Sequence, residues 1–267
     1  MSPQFICKIS FLVAIILLVF QQNQVTGHGR LIDPPARSTA WRFGYDTPVN
    51  YDDNQLYCGG KQVQWETNSG KCGICGDAWN GVREHESPNG KYTPIPLRIT
   101  GNYASGSILE ATVELTTSHL GYFTFRMCPD TSDKTEVTQE CLNNYLLKWT
   151  SKTGETKDKY HIQEEGRMAK GYGIHKIPLR LPNNITCDRC VLQWTYTTGN
   201  SWGICPDGSN NRGCGPQETF RGCSDILIYD RYSVSPNREL DTENLINDVD
   251  GRKARPQRIS RRNRRRR

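Results

Sequence analysis

The sequence predicts an all-β fold: an antiparallel β-sandwich of the immunoglobulin or fibronectin-III kind, with long disulfide-stapled loops. Three observations predict it. Short runs rich in β-branched and aromatic residues recur between Gly, Pro and Asn punctuation, and helical periodicity is scarce. The run Glu110–Leu115 alternates polar and apolar side chains, as a strand with one wet face must. The third is a surplus of cysteine, eleven in 267 residues, which in an exported chain reads as a disulfide framework.

Export is itself predicted by the first 27 residues. Lys8 gives a positive start, Phe11 to Phe20 form an apolar run, and Val25-Thr26-Gly27 places small residues where a signal peptidase cuts. The run is too short to span a bilayer. Cleavage after Gly27 removes Cys7 and leaves about 240 residues, enough for one domain with a real core. No second apolar span follows, so a secreted, extracellular chain with no membrane span is expected. Asn184-Ile185-Thr186 is a glycosylation sequon and belongs on an exposed loop.

The elements then follow in order. Asp33–Tyr92 is rich in Gly, Asn, Asp and aromatics and holds few strand signals, so it reads as a large loop region with room for short helical turns. Candidate strands are Ile95–Thr100, Ile108–Thr117, Tyr122–Cys128, Lys176–Leu181, Cys190–Thr198 and Asp225–Tyr229. Ten cysteines remain after cleavage: Cys58, Cys72, Cys75, Cys128, Cys141, Cys187, Cys190, Cys205, Cys214 and Cys223. They allow five bridges, whose pairing the sequence leaves open. The Cys72–Cys75 and Cys187–Cys190 spacings also allow a four-cysteine zinc site. Disulfides are the default, because the two pairs are far apart in an exported chain.

Residues 28–230 form the folded domain on this reading, and 231–250 a polar linker. Residues 251–267 hold ten Lys or Arg and no acid, too much charge to pack, and are expected to be disordered. Such a tail adheres to anionic matrix, is trimmed at basic residues, or stays solvated. It hides the character of the body: the whole chain carries +6, but residues 28–250 carry −5. Nucleic acid is not an expected partner of such a chain, and a monomer is expected.

The chemistry starts at His28. As the first residue after cleavage it offers a ring nitrogen and a free α-amine, a chelate no internal histidine can make. His119 lies in Thr117-Ser118-His119-Leu120-Gly121 between two strong strands, which reads as a hairpin turn at one end of the sandwich. If the N-terminus reaches that end, three nitrogens converge, a set that suits Cu(II). His85, within Arg83-Glu84-His85-Glu86, reads as part of a solvated charged loop, and His161 and His175 as structural or surface residues. No pair of carboxylates stands out for glycoside hydrolysis.

These residues resemble a family. The segments HGRLIDPPARSTAWR, YCGG and CGICGDAW, the TSH turn and CGPQETFRGCSDI together make the chain similar to the lytic polysaccharide monooxygenases, most of all to the animal group called auxiliary activity family 15. The resemblance spans nearly all of 28–230. It implies that His28 and His119 are the two arms of a histidine brace holding one copper ion, with Phe220 flanking the copper axially as a group that cannot ligate. It implies an external electron donor, and peroxide or dioxygen as co-substrate, in the oxidative cleavage of insoluble chitin or cellulose at C1 or C4. Thr117 departs from the small residue the family often has there. Gln217 and Glu218 are placed to hydrogen-bond behind the ligands and tune them. Tyr51 and Trp41 are the candidates for docking on pyranose rings, the alternative being that they pack the long loop.

Two other classes stay open at this stage. One is a chitin- or cuticle-binding module without chemistry, in which the terminal histidine is incidental. The other is a secreted factor activated by processing at its basic tail.

Overall fold

In a computed structural model, residues 28–130, 132, 134–162 and 172–231 are described. The expected signal, the basic tail and nearly all of the linker lie outside them.

Two sheets face each other. The first has five strands in the order β1 (His28–Asp33), β3 (Ile108–Thr117), β9 (Gly173–Arg180), β6 (Trp149–Thr150) and β7 (Thr156–Lys157). The second has six: β2 (Gly101–Ala104), β13 (Thr219–Tyr229), β10 (Cys187–Thr197), β4 (Tyr122–Pro129) and β5 (Leu146–Leu147), with β8 (Tyr160–His161) also on β4. A separate ribbon pairs β11 (Trp202–Ile204) with β12 (Asn210–Arg212). Among the described residues these strands pair antiparallel throughout, except β2 on β13. Those two strands are more than a hundred residues apart, so no tight turn dictates their direction.

Alternation explains which side of each strand is inside. Leu109, Ala111, Val113 and Leu115 of β3 point to the core, while Ile108, Glu110 and Thr116 are exposed. Cys190, Leu192, Trp194 and Tyr196 of β10 meet them from the second sheet, with Phe123, Phe125 and Met127 of β4. Strand β10 is buried on its other side as well. Val191 joins Cys75, Cys128, Leu142 and Cys223 in a second cluster, covered by the long loop and by helix α1 (Gln139–Asn144). Thr138 caps that helix, its hydroxyl accepting from the Cys141 N–H at 3.1 Å.

One expected strand is displaced. Ile95–Thr100 is not a strand; pairing starts at Thr100, whose N–H donates to the Asp225 carbonyl at 2.8 Å, and β2 follows at 101–104. Pro94 and Pro96 have no N–H to give a ladder. The other expected strands are present, with β10 and β13 longer than expected; β1 and the short strands β5 to β8, β11 and β12 are additional. The long loop region contains a 3₁₀ turn at Ala40–Phe43 and a π-turn at Val63–Thr67.

The ten cysteines among the described residues are all paired: Cys58–Cys72, Cys75–Cys223, Cys128–Cys141, Cys187–Cys190 and Cys205–Cys214. This removes the four-cysteine zinc site, since no thiolate remains to ligate. Cys75–Cys223 ties the long loop to β13.

Candidate metal centre

His28 and His119 come to the same end of the sandwich through the β1–β3 ladder. His28 lies opposite Thr117, two residues before His119. The register slips between His28 and Gly29, a bulge that re-aims the first side chain of the strand. A Cβ at residue 29 would sit 2.5 Å from Leu115 Cδ2, so any larger residue there would push that buried side chain aside. The Gly29 N–H donates to the Asn54 carbonyl at 3.0 Å, which fastens this start to the long loop.

The turn carrying His119 is held from three sides. Its N–H donates to the Tyr196 hydroxyl at 2.9 Å, and its carbonyl accepts from the Gly199 N–H at 2.8 Å. Gly121 then takes a φ of 87°, and a Cβ there would lie 2.0 Å from the Thr197 carbonyl oxygen. Burial, before any other effect, pushes the Tyr196 phenol above its ordinary range, so the hydroxyl stays protonated beside the turn.

The His119 ring is buried, and its Nδ1 has no hydrogen-bond partner. The nearest charge is Glu218, with Oε2 at 3.8 Å from Nδ1. A carboxylate on that side favours the tautomer with the proton on Nδ1, which leaves Nε2 as the ligand atom. Among the described residues no three His, Cys, Asp or Glu side chains form a metal-binding group. A metal here would therefore need a further donor, and the α-amine that cleavage after Gly27 would free at His28 is a nitrogen of the right kind. The donor set fits copper better than zinc on this count.

Phe220 is fully buried, opposite Tyr196 across the β10–β13 ladder. Its ring is stacked between Tyr196 at 5.6 Å and Tyr57 at 6.0 Å. Thr117 ends β3, half-buried. Gln217 has a different job from the one expected. Its amide accepts from the Ser201 N–H at 3.0 Å and donates to the Cys214 carbonyl at 2.6 Å, which clamps the base of the β11–β12 ribbon. The partners of that amide depend on how the ribbon closes, and no spacing in the sequence reveals it.

Trp41 and Tyr51 meet edge to face, 5.5 Å between ring centroids. Tyr51 is 78% exposed, whereas Trp41 is half-buried, with its indole N–H on the Asn50 carbonyl at 3.1 Å. The loop is docked on β1 by Asp53, which pairs with Arg30 at 2.6 Å and with Arg42. Trp202 escaped the sequence reading. It is 66% exposed on β11, on the ribbon that leaves the chain just after Gly199, the residue bonded to the His119 carbonyl. An aromatic residue in a Gly- and Asn-rich stretch was the available signal.

His85 is a correction. It is not solvated but 3% exposed, because Asp77 and Asn50 take both ring nitrogens and Tyr92 stacks on its face. His161 pairs with Tyr122 between β8 and β4, and His175 is buried on β9 against Phe123, so both sit in structural settings. Asn184 is exposed in the turn between β9 and β10, at the opposite end of the sandwich from His119.

The comparisons agree with this geometry. The model of a family described as lytic polysaccharide mono-oxygenase, cellulose-degrading, matches residues 28–226. A lytic polysaccharide monooxygenase AA15 from Thermobia domestica, solved in the Cu(I) state, is 40% identical. The match covers 75% of this chain and 98% of that one, at a TM-score of 0.68. A chitin binding domain from Burkholderia pseudomallei is 10% identical over 76% of this chain and 100% of that one, at a TM-score of 0.42, too low to bear on either fold or function. No curated protein matches. With the sandwich, the two histidines at one end and a family match that begins at His28, the chain belongs to the lytic polysaccharide monooxygenases.

Proposed function

We propose that the protein is a secreted enzyme that cleaves insoluble polysaccharide, chitin or cellulose, by copper-dependent oxidation at C1 or C4. The single observation that carries the site is the convergence of His28 and the His119 turn at one end of the sandwich, through the His28–Thr117 register. The family match starting at residue 28 supports cleavage after Gly27. One copper ion would be held by the His28 amine and ring and by the His119 ring. When bound it would supply one-electron redox chemistry toward peroxide or dioxygen, with electrons from an external donor.

The chain's own residues do the rest. The bulge at His28 and the clamped turn at His119 fix one ring at the start of a strand and the other on a turn held by hydrogen bonds. Glu218 biases the His119 tautomer. Phe220 offers an apolar, dry surface and no donor atom. Tyr51, seconded by Trp41 and Trp202, presents flat aromatic area on which a pyranose face can rest. Asn184 would carry its glycan at the far end, clear of a polymer surface. The polysaccharide is the partner, and the domain works as a monomer without a membrane span; no helix among the described residues is long and apolar enough to make one.

The test is product analysis. Copper-loaded protein with a reductant should release oxidised oligosaccharides from chitin or cellulose, read by mass spectrometry. One extra residue before His28 should abolish them while the fold persists, because it converts the amine to an amide. Copper affinity should also fall in acid, since amine and imidazole must lose protons to bind. Binding to chitin with no oxidised product would leave a non-catalytic binding module instead. Native protein beginning anywhere but at His28 would overturn the copper assignment.

A further inference from the structure

We propose that His85 is a positioning residue for the aromatic docking loop, and that it acts as the neutral imidazole with its proton on Nδ1. The proposal rests on the reading of Tyr51 and Trp41 as the docking pair. It adds the buried relay that sets where they stand.

The hydrogen-bond pattern fixes the tautomer from both sides. Asp77 uses both oxygens on His85: Oδ2 accepts from its backbone N–H at 3.0 Å, and Oδ1 lies 2.9 Å from Nδ1. A carboxylate accepts, so Nδ1 carries the proton. On the other side is Asn50. Its Oδ1 already accepts from the Asp52 N–H at 3.0 Å, so the amide group facing His85 Nε2 at 3.1 Å is the NH₂. An N–H donor needs a bare nitrogen opposite it. His85 Nε2 is therefore the acceptor, and the ring is neutral.

The same Asn50 carries the docking pair. Its carbonyl accepts the Trp41 indole N–H at 3.1 Å, and Trp41 meets the Tyr51 ring edge-on. Tyr51 follows Asn50 directly in the chain and is itself 78% exposed. The relay runs from Asp77 through His85 and Asn50 to Trp41 and Tyr51. Its inner end is rigid: His85 and Asp77 are buried, and the His85 ring lies flat on Tyr92 at 4.5 Å. Charged groups surround it. Arg37 donates to the His85 carbonyl at 2.8 Å, Glu136 pairs with Arg37, and Lys91 lies over Tyr92. Glu84 and Glu86 flank His85 in sequence.

A second proton on His85 would put Nε2–H against the Asn50 NH₂. Asn50 would then have to turn its oxygen inward and abandon the Asp52 N–H, and the loop segment that begins at Tyr51 would lose its anchor. Removing the ring nitrogens instead takes away the acceptor of the Asn50 NH₂, so that the amide is held only through its oxygen on the Asp52 N–H.

The experiment uses the full copper-loaded chain and its metal-free form. Nitrogen NMR of the metal-free protein at neutral pH should find His85 with a protonated Nδ1 and a bare Nε2. H85F keeps a ring on Tyr92 but offers no acceptor, and N50D keeps the size of Asn50 but replaces the NH₂ donor by an acceptor. Each should weaken chitin binding by about three- to tenfold, the worth of one or two buried hydrogen bonds. Each should also shift the Trp41 indole proton resonance. N50D should in addition favour a proton on Nε2, which the same NMR reads, and it serves if H85F does not fold. A protonated Nε2 in the unmutated protein would overturn the proposal. So would either folded variant with unchanged Trp41 resonance and unchanged binding. Tyr51→Ala separates the two readings: unchanged binding in that variant would overturn the docking face, while the tautomer and the Trp41 resonance would still decide the relay.

Discussion

The outer faces of the two sheets are built differently. On the five-stranded sheet, Glu110, Ile174, Lys176 and Arg180 stand in water between buried neighbours. On the six-stranded sheet, Val191, Gln193, Thr195, Cys223 and Asp225 are all buried, because the long loop region and α1 lie over them. The first face is an ordinary half-wet sheet. The second is a floor for another layer, and that layer carries the loop with Trp41 and Tyr51. Its contents are polar for a buried layer. Arg37 is held by both oxygens of Asp225, at 2.7 and 2.8 Å, and by Glu136 at 2.5 Å. Gln193 reaches from β10 to the Ile74 carbonyl at 2.7 Å. The covering layer is thus fastened by charge, amides and a disulfide, where the sandwich beneath is fastened by apolar packing.

The largest test of that contrast is Arg37→Ala. It strands the buried Asp225 carboxylate and the part-buried Glu136, with Arg189, 3.9 Å from Asp225, the one ion-pair partner left to Asp225 among the described residues. Breaking a buried ion pair from one side costs roughly 3–5 kcal/mol. Urea unfolding should show a loss of that size. A loss under about 1 kcal/mol would mean the layer is held by something else.

The next effect belongs to the Cys75–Cys223 bridge, which spans 148 residues of sequence. Replacing both cysteines by serine should cost about 2–5 kcal/mol. The order of events matters more than the size. The loop region should become open to proteolysis at lower denaturant than the sandwich, since its apolar contacts with the floor are few. Simultaneous loss of loop and sandwich would show that the two layers unfold as one unit.

The same contrast explains what could be read from the sequence. Strand β3 was legible to the residue, because one wet and one dry face impose a period of two. Strand β10 was legible in position but not in its double burial: the cover comes from distant segments, as in the contacts of Gln193 with Ile74, 119 positions away, and with Gln139 of α1, 54 away. Strand β1 was missed. HGRLID is short and carries a charge at Arg30 and at Asp33, and only its pairing with β3 makes it a strand. The site divides along the same line. His28 follows from where a signal peptidase would cut, and His119 from a turn between two strong strands. His85 was misread because Arg83, Glu84 and Glu86 around it suggest solvent. Its burial depends on Asn50 and Asp77, 35 and 8 positions away, which no periodicity connects.

The smallest expected effect lies on the wet face. Lys176 bonds Glu110 across β3 and β9 at 2.8 Å, with both side chains more than half exposed. Burial does not strengthen such a pair, and salt screens it. The pair holds Lys176 above its ordinary range through the Glu110 hydrogen bond, a shift that solvent largely cancels in stability. Replacing both residues by alanine should leave the melting temperature and chitin binding unchanged at physiological salt. The substitution is informative because the alternative is specific. If chitin binding fell, the polymer would rest on the side of the first sheet, not on the end where Tyr51 and the His119 turn lie. The covering layer would then have to be explained by stability alone. Unchanged binding, together with weakened binding in Tyr51→Ala, keeps substrate docking on the loop layer and off the wet face of the first sheet.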